Sequence, residues 1–236
     1  MTDSTIALVT GANKGIGATV VRRLAALGWT VLLGSRDPER GAQAARTIEG
    51  DVVVLALDVT SDESVAAAAK EVAERYGRLD VLVNNAGITG AHVDPLETGP
   101  AELLACYDTN VFGPVRMTRA FVPLLRRSAA PRIVMVSSGM GSIGITSDPQ
   151  RLEHGLVTLT YSSSKTALNM ITTQYAKALP GFRVNAVDPG FTATDLNAHR
   201  GTQTVEEGSD AIVALATTGP DGPTGGFFDR TGPIPW

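Results

Sequence analysis

The sequence is poor in cysteine and histidine, and each shortage excludes a class of function. Cys106 is the only cysteine in 236 residues, which excludes an internal disulfide and a cysteine-rich zinc site. The three histidines, His92, His154 and His199, stand far apart without the spacing of metal ligands, so we expect them at the surface or at a site's rim. No apolar run is long enough to span a membrane. Chemistry that needs neither a metal nor a thiol stays open.

The charge balance of the chain is mildly acidic. Twenty basic residues against twenty-four acidic ones give a formal net charge of −4. Such a surface repels phosphate backbones, so we expect neither nucleic acid nor a membrane as a partner. The first five residues carry no basic segment, which predicts that there is no signal peptide. Together with the single free thiol, this favours a cytoplasmic location.

Short apolar runs alternate with helix-forming segments along the whole chain. We predict strands at residues 6–10, 30–33, 52–57, 81–83, 132–137, 182–187 and 225–228, and helices at about residues 15–27, 38–48, 61–76, 100–127 (broken once) and 162–179. Strands that are apolar throughout, each followed by a helix, indicate a parallel sheet covered on both faces. The prediction is an α/β fold of the doubly wound type, with about seven parallel strands and helices on both faces.

The sequence offers no boundary between domains. It contains no charge run or internal repeat, and we expect the glycine- and proline-rich stretch at residues 219–236 not to be a linker to a further domain. With 43% hydrophobic residues it can fill one sizeable core. We therefore predict a single domain over residues 1–236.

A glycine-rich loop joins the first predicted strand to the first helix. It reads Thr10-Gly11-Ala-Asn13-Lys14-Gly15-Ile16-Gly17, with the spacing Gly-x-x-x-Gly-x-Gly rather than Gly-x-Gly-x-x-Gly. Glycines at such a junction permit a tight turn and let the backbone approach a pyrophosphate at the positive end of the helix. The loop therefore predicts a dinucleotide site at the carboxyl edge of the sheet.

Further short motifs follow in a fixed order. They are Asp58-Val59 after the third strand, Asn84-Asn85-Ala86-Gly87 after the fourth, Thr109-Asn110, Ser137-Ser138 after the fifth strand, Tyr161-Ser-Ser-Ser-Lys165, and Pro189-Gly190 after the sixth. This order resembles the short-chain dehydrogenase/reductase family over nearly the whole chain. The glycine loop and the stretch from Pro189 to Leu196 are most similar to those of its NADPH-dependent carbonyl reductases. The resemblance implies a Rossmann fold and a hydride-transfer enzyme.

Tyr161 and Lys165 are the central pair of the predicted catalytic group. They are four positions apart at the start of a helix, so both project from one face. A free phenol has a pKa of about 10, and a neighbouring ammonium together with a cationic nicotinamide favours the phenolate and lowers that value. Tyr161 can then give a proton to a carbonyl oxygen, or take one in the reverse direction. Ser138, at a strand end, is placed to hold the same oxygen.

The resemblance extends this group to four residues. It implies that Lys165 also binds the nicotinamide ribose and that Asn110 holds a water linked to that lysine. It favours Ser138 over the adjacent Ser137, because the family's active serine matches the second of such a pair. Taken alone, Asn110 reads as a buried asparagine bonded to backbone, and Ser138 as a turn serine. The catalytic prediction is Asn110, Ser138, Tyr161 and Lys165.

The resemblance also implies a set of cofactor-binding residues. Asn84 is expected mainly to bridge strands, and residues 85–87 to lie along the adenine ribose. Pro189, Gly190 and Thr192 are expected at the nicotinamide carboxamide. The full set is Gly11, Asn13, Lys14, Gly15, Ile16, Gly17, Arg36, Asp58, Val59, Asn85, Ala86, Gly87, Tyr161, Lys165, Pro189, Gly190 and Thr192.

The end of the second strand bears on the choice of nicotinamide cofactor. Ser35 stands where NAD-dependent relatives carry an acidic residue, which leaves Arg36 beside the 2′ position, with Lys14 and Arg40 as further cations. Cations there match a 2′-phosphate, so NADP(H) is the predicted cofactor. The alternative is NAD(H), selected by Asp37 turned inward to the ribose.

The substrate side is less defined. Ser138 and Tyr161 are 23 positions apart, and the polar stretch at about residues 146–155 is an insertion, shorter than that of monomeric carbonyl reductases. A short polar loop at about residues 190–206 predicts an open cleft, with Met140, Phe191 and Leu196 as candidate apolar walls. We expect an aldehyde or ketone as substrate and an alcohol as product.

Other functions and assemblies stay open at this point. The alternatives are an NAD-dependent alcohol dehydrogenase of the same family and a non-catalytic NAD(P)H-binding sensor or scaffold. The resemblance implies a homodimer or homotetramer formed through the helices that carry Asn110 and Tyr161. The insertion before Tyr161 lies near that surface and leaves a monomer as the alternative.

Overall fold

The computed structural model describes residues 4–91 and 93–236, and within these ranges eight strands form one sheet. His92 and residues 1–3 lie outside these ranges. The expected surface position of His92 and part of the segment examined for a signal peptide therefore fall outside the described residues. The strands are β1 (Ile6–Val9), β2 (Thr30–Ser35), β3 (Val52–Ala56), β4 (Val81–Asn84), β5 (Arg132–Val136), β6 (Arg183–Val187), β7 (Phe227–Asp229) and β8 (Gly232–Pro233). Their order is β3-β2-β1-β4-β5-β6-β7-β8, and all neighbours are parallel except β7 and β8. The predicted doubly wound α/β fold is confirmed.

Helices connect the parallel strands, as the alternating pattern predicts. They are α1 (Gly15–Ala25), α2 (Pro38–Ala45), α3 (Asp62–Tyr76), α4 (Pro100–Tyr107), α5 (Gly113–Leu125), α6 (Ile143–Thr146), α7 (Leu159–Ala178) and α8 (Val205–Ala216). Ser61 caps α3 and Gly77 ends it in a left-handed conformation, which is why this helix matches its predicted bounds closely. In the part of the chain that the structure describes, no helix is long and apolar enough to cross a membrane.

The sheet has an apolar core on each face. On one face Leu8, Leu82 and Phe121 belong to a cluster that includes residues of α3, α5 and α7. On the other, Val20 and Ile212 belong to a cluster of residues from α1, α8 and the strands. Alternate residues of each strand point to opposite clusters, so strands buried on both sides must be apolar throughout.

The long helical region at residues 100–127 is broken once, as predicted. The break is a π-helical segment, Asp108–Phe112, between α4 and α5. Such a segment widens one helical turn and often marks a functional position. It carries Asn110, which is fully buried.

The C-terminal stretch contributes two strands to the sheet, of which the sequence indicated one. The predicted seventh strand begins two residues later than expected, at Phe227, and the antiparallel β8 was not predicted. Trp236 stacks on Phe227 with ring centroids 5.4 Å apart. The backbone oxygen of Trp236 accepts a hydrogen bond from the Gly144 amide at 3.0 Å. A two-residue Gly-Pro strand has no periodicity to detect. It is recognised as a strand only by its pairing with β7.

Strand order places the functional motifs together. The order reverses between β1 and β4, which creates a crevice at their carboxyl ends. The loops that leave β1, β4, β5 and β6 carry the glycine loop, residues 85–87, residues 137–138 and residues 189–190. These segments, far apart in sequence, therefore meet at one edge of the sheet.

Candidate active site

The glycine loop can be built only with glycines at two positions. Gly11 has a φ of 60°, and a Cβ on it would lie 2.9 Å from the Cα of Ala86. A Cβ on Gly17 would lie 2.6 Å from Nδ2 of Asn85 and 2.8 Å from the Gly11 oxygen. Asn85 Nδ2 in turn donates to the backbone oxygens of Thr10 and Gly11, at 2.8 and 3.1 Å. The loops that follow β1 and β4 are thus packed in direct contact, with no room for a side chain at Gly11 or Gly17.

The N-terminus of α1 is open for an anion. Lys14 holds the N-cap position with extended backbone, no side chain caps the helix, and its first turn has no acidic residue. The first amides of a helix need an acceptor, and here the protein supplies no side-chain cap for them. A pyrophosphate is an acceptor of the right charge and size, so the loop and helix fit a dinucleotide.

A substitution in the loop tests this fit. Gly17→Ala is expected to weaken NADPH binding at least about tenfold, because the added Cβ displaces Asn85 or the Gly11 carbonyl from the phosphate cradle. Fluorescence titration with NADPH measures the effect. Gly219→Ala is the matched control, since a Cβ there meets nothing within 4 Å. Equal affinities of the two variants would contradict the assignment.

A cleft of about 820 Å³ extends from this loop to Tyr161. Most of the predicted cofactor residues line it: Gly11, Asn13, Lys14, Gly15, Ile16, Gly17, Arg36, Asp58, Val59, Asn85, Ala86, Gly87, Tyr161, Lys165 and Pro189. Gly190 and Thr192 do not line it: Gly190 is exposed, and Thr192 is buried with its hydroxyl donating to the Pro189 oxygen at 3.0 Å. The sequence reasoning missed several wall residues, among them Thr60, Ile88, Thr89, Asp195 and Val205.

The end of β2 presents a positive charge, that of Arg36, to the cleft. Arg36 is exposed on the cleft wall. Asp37 faces the other way: its Oδ1 caps α2 by accepting from the Glu39 and Arg40 amides, at 3.0 and 3.1 Å. Its Oδ2 pairs with Arg40 Nε at 3.2 Å. Both carboxylate oxygens of Asp37 therefore bind residues of α2 and not the cleft. Arg40, which was a candidate contact for the 2′-phosphate, forms an ion pair with Asp37.

Asp58 lies beneath Arg36 on the same wall. Its Oδ1 accepts from the Thr60 amide at 2.9 Å and from the Thr60 hydroxyl at 2.7 Å. These bonds, with a smaller contribution from the nearby Arg36 charge, lower the pKa of the Asp58 carboxyl below its usual value. The carboxylate is fixed and ionised at neutral pH.

Lys14 spans the cleft. Its Nζ lies 2.6 Å from Asp195 Oδ2, and Asp195 Oδ1 lies 2.8 Å from His199 Nε2. All three side chains are more than half exposed, so the pairs are weak and readily exchanged. The ammonium of Lys14 lowers the pKa of Asp195. A phosphate that recruits Lys14 must compete with this carboxylate.

Tyr161, Lys165 and Ser138 meet at the inner end of the cleft. The Lys165 Nζ lies 5.6 Å from the centroid of the Tyr161 ring and donates to the Val136 oxygen at 2.8 Å. Ser138 hydrogen bonds to the Tyr161 hydroxyl and accepts from the Met140 amide at 3.2 Å. The Ser137 hydroxyl instead donates to Asn169 Oδ1 at 2.6 Å inside the protein. Of the two serines, Ser138 alone contacts the tyrosine in the described contacts.

Burial governs the ionisation of this pair. Removal from water raises the pKa of Tyr161 to about 12, against a smaller lowering by the Ser138 hydrogen bond. It lowers the pKa of Lys165 to about 8. The sequence reasoning expected a lowered tyrosine pKa from the lysine charge and a nicotinamide cation. In the protein without a cofactor the pKa is raised instead, because desolvation and the nearby Asp188 charge outweigh the Ser138 hydrogen bond.

Asn110 has the contacts of a structural asparagine. Its Oδ1 accepts from the Ile88 amide at 2.9 Å, and its Nδ2 donates to the Ile88 oxygen at 2.8 Å and to Ser164 Oγ at 3.0 Å. A Cβ on Gly87 would lie 3.4 Å from Asn110 Oδ1 and 3.5 Å from Lys165 Nζ. The side chains of Asn110 and Lys165 therefore lie on either side of the space beside Gly87, and the hydrogen bonds of Asn110 to Ile88 hold the loop after β4 in place.

Other singled-out residues have ordinary positions. Cys106 is fully buried next to Asn110. Asn84 bridges strands, its Nδ2 lying 3.2 Å from the Met135 sulfur. Phe191 and Leu196 are each 45% exposed, and Leu196 lines the cleft. The insertion at residues 146–155 includes a 3₁₀ turn, Leu152–Gly155.

The fold and the site together define a dinucleotide-binding protein of the Rossmann type. Comparison with known proteins is specific. A family model described as short chain dehydrogenase matches residues 5–204. The (+)-neomenthol dehydrogenase of Arabidopsis thaliana is 37% identical over 95% of this chain and 95% of its own length. The (−)-isopiperitenone reductase of Mentha piperita is 35% identical over 95% and 96%.

A solved structure agrees with these relatives. The NADPH-bound carbonyl reductase from chicken fatty liver superposes with a TM-score of 0.87 at 30% identity, covering 99% of both chains. The chain belongs to the short-chain dehydrogenase family, and the predicted likeness to carbonyl reductases is confirmed. The alignment with the Arabidopsis protein spans 282 positions, more than the 236 residues here, so that relative has residues without a counterpart in this chain.

Proposed function

We propose that the protein reduces an aldehyde or ketone to an alcohol with NADPH, with Tyr161 as the proton donor. The observation that carries this is that Tyr161 and Lys165 line a cleft whose other end is the glycine loop, and that Ser138 hydrogen bonds to Tyr161. The relatives support the reaction class, since they include a neomenthol dehydrogenase, an isopiperitenone reductase and an NADPH-bound carbonyl reductase.

Different residues of the cleft bind different parts of the cofactor. The amides of the glycine loop and of the α1 N-terminus hold the pyrophosphate, and Arg36 with Lys14 holds the 2′-phosphate. Asp58, Val59 and residues 85–87 lie along the adenosine half. Lys165 binds the nicotinamide ribose, and Pro189, Gly190 and Thr192 fix the carboxamide. Bound NADPH supplies the hydride that adds to the carbonyl carbon.

Residues of the protein donate the proton and restore it. With a pKa of about 12, Tyr161 is fully protonated at neutral pH and can donate its phenolic proton to the carbonyl oxygen. Ser138 holds that oxygen by a hydrogen bond. The Lys165 ammonium stabilises the phenolate that remains, which then regains a proton from solvent. Asn110, beside Lys165, orders the path for this return.

The reaction is tested by NADPH consumption with a panel of aldehydes and cyclic, aryl and aliphatic ketones. We expect NADPH-dependent formation of the alcohol with at least one class of ketone. Intact NADPH binding without turnover on the whole panel would favour a non-catalytic sensor or scaffold. Efficient alcohol oxidation with NAD as the preferred cofactor would favour the alternative dehydrogenase.

The choice of cofactor rests on Arg36. Arg36→Ala is expected to raise the KM for NADPH about tenfold to a hundredfold, because a charge-assisted bond to phosphate contributes about 1.5–3 kcal/mol. The KM for NADH should stay within about twofold. Steady-state kinetics with both cofactors measure this. Arg40→Ala is the matched control, because its guanidinium pairs with Asp37 away from the cleft. A wild type that prefers NADH would overturn the assignment.

We also propose that the protein is a cytoplasmic homo-oligomer. Its helices α4 and α7 and the π-helical segment leave Leu104, Met170 and Phe112 at 60%, 61% and 40% exposure. Apolar side chains on the helices that carry Asn110 and Tyr161 favour association through that surface. Light scattering coupled to size exclusion gives the mass, and a monomer at micromolar concentration would contradict the proposal.

A further inference from the structure

Asp188 is a buried carboxylate that the proposed mechanism leaves without a role. It directly follows β6, immediately before Pro189 and Gly190, and is 8% exposed. Its own amide donates to the Phe228 oxygen at 2.8 Å, which fixes the backbone to β7. The preceding residues of β6 from Val184 are buried and mostly apolar, so a carboxylate here costs solvation and needs compensation.

The compensation comes from two different loops. Asp188 accepts a hydrogen bond from the Gly190 amide at 2.9 Å and another from the Gly139 amide. Gly139 directly follows Ser138, so one carboxylate joins the loop that carries Ser138 to the loop proposed to hold the carboxamide. The contact is tight: a Cβ on Gly139 would lie 2.9 Å from Asp188 Oδ2 and 3.1 Å from Glu153 Oε1.

Charged and titratable groups face Asp188 from several elements. Tyr161 and Lys165 face it from α7, Glu153 from the turn in the insertion, and Asp229 from the end of β7. Burial raises the pKa of Asp188, and its two backbone hydrogen bonds oppose that rise. The only cation in this group is Lys165.

We propose that Asp188 is a positioning residue of the reductase reaction, whose carboxylate locks the Ser138 loop to the Gly190 loop and sets a buried negative charge beside Tyr161 and Lys165. The proposal rests on the proposed function. Two consequences follow. The lock fixes Ser138 at the distance where it can hold the carbonyl oxygen. The charge opposes loss of the phenolic proton from Tyr161 and favours the ammonium of Lys165, which keeps the pair ready for reduction.

The test is Asp188→Asn, which keeps size and one acceptor but removes the charge and one of the two backbone hydrogen bonds. We expect kcat for carbonyl reduction to fall about tenfold or more, with the KM for NADPH within about twofold. The basic limb of the kcat profile should move to lower pH, whichever of Tyr161 and Lys165 sets it, because both lose protons more readily without the neighbouring charge. A merely structural role would not move that limb.

Asp229→Asn is the matched control. Asp229 also faces Asp188, but its carboxylate caps the exposed turn at Thr231 and Gly232. We expect kcat and the pH profile of this variant to equal those of the wild type. Circular dichroism and NADPH titration establish that each variant is folded.

A second substitution separates placement from charge and serves if Asp188→Asn does not fold. Gly139→Ala keeps every charge but forces the Ser138 loop and the Asp188 carboxylate apart, so kcat should fall, while the basic limb should move less than in Asp188→Asn because the charge stays in the site. A folded Asp188→Asn variant with wild-type kcat and an unmoved limb would overturn the proposal and leave the proposed function intact. A Gly139→Ala variant with wild-type kcat would remove the positioning part. A wild type that binds NADPH but reduces no carbonyl would overturn the function first, and this proposal with it.

Discussion

Tyr161→Phe is expected to lower kcat for carbonyl reduction about 10²- to 10⁴-fold, the range that positioned acid catalysis contributes. The substitution removes one oxygen and keeps the ring, which lies 5.6 Å from the Lys165 ammonium. NADPH binding should stay within about twofold, because the glycine loop and Arg36 are untouched. Stopped-flow measurement of NADPH oxidation with saturating ketone gives the chemical step directly.

The matched control lies on the same helix. Tyr175 also belongs to α7, is half-buried, and has a pKa raised by burial, but it packs against the apolar core rather than the cleft. Tyr175→Phe should retain wild-type kcat. If both variants kept full activity, the proton would have to come from another group, and Tyr161 would lose its assigned role. If both lost it alike, the loss would reflect damage to α7.

The pairing of Tyr161 with Lys165 and the glycine loop were accessible from sequence because their geometry is local. Tyr161 and Lys165 share a helix face by spacing alone. The positive φ of Gly11 and the missing cap at Lys14 belong to one turn. The apolar strands predicted a parallel sheet, and a parallel sheet in turn places loop motifs at one edge.

Other features depend on contacts between distant segments. Lys14 meets Asp195 across 181 positions, and Asp188 meets Gly139 and Tyr161 only after β5, β6 and α7 have packed. The pKa of Tyr161 is set by desolvation, which no spacing encodes. One signal was present: an aspartate directly after a mostly apolar strand and before Pro189-Gly190 is unusual enough to mark as a candidate.

Lys165→Met is expected to lower kcat/KM about tenfold to a hundredfold, because hydrogen bonds from a charged donor contribute about 1.5–3 kcal/mol. Methionine retains the buried apolar stem of this side chain, which is 4% exposed. It removes the donor to the Val136 oxygen and the charge beside the Tyr161 ring. The variant should therefore fold, bind NADPH more weakly and transfer the proton more slowly.

The same lysine predicts a pH dependence of cofactor binding in the wild type. In the free protein burial lowers the pKa of Lys165 to about 8, so the ammonium is lost as the pH rises through that value. A ribose hydroxyl and cofactor phosphates favour the charged form, so the pKa in the complex is higher. Between the two pKa values, binding takes up a proton. The Kd for NADPH should thus be constant from about pH 7 to 8, where the 2′-phosphate is ionised, and rise up to about tenfold per pH unit above that range.

Isothermal titration of NADPH at several pH values, in buffers of different ionisation enthalpy, measures both the affinity and the proton uptake. In Lys165→Met the Kd should be higher than in the wild type at pH 7 but independent of pH from about 7 to 9.5, with no proton taken up. A wild-type Kd that is flat across pH 8 would contradict the prediction: either Lys165 keeps its charge in the free protein, or the cofactor does not favour its ammonium.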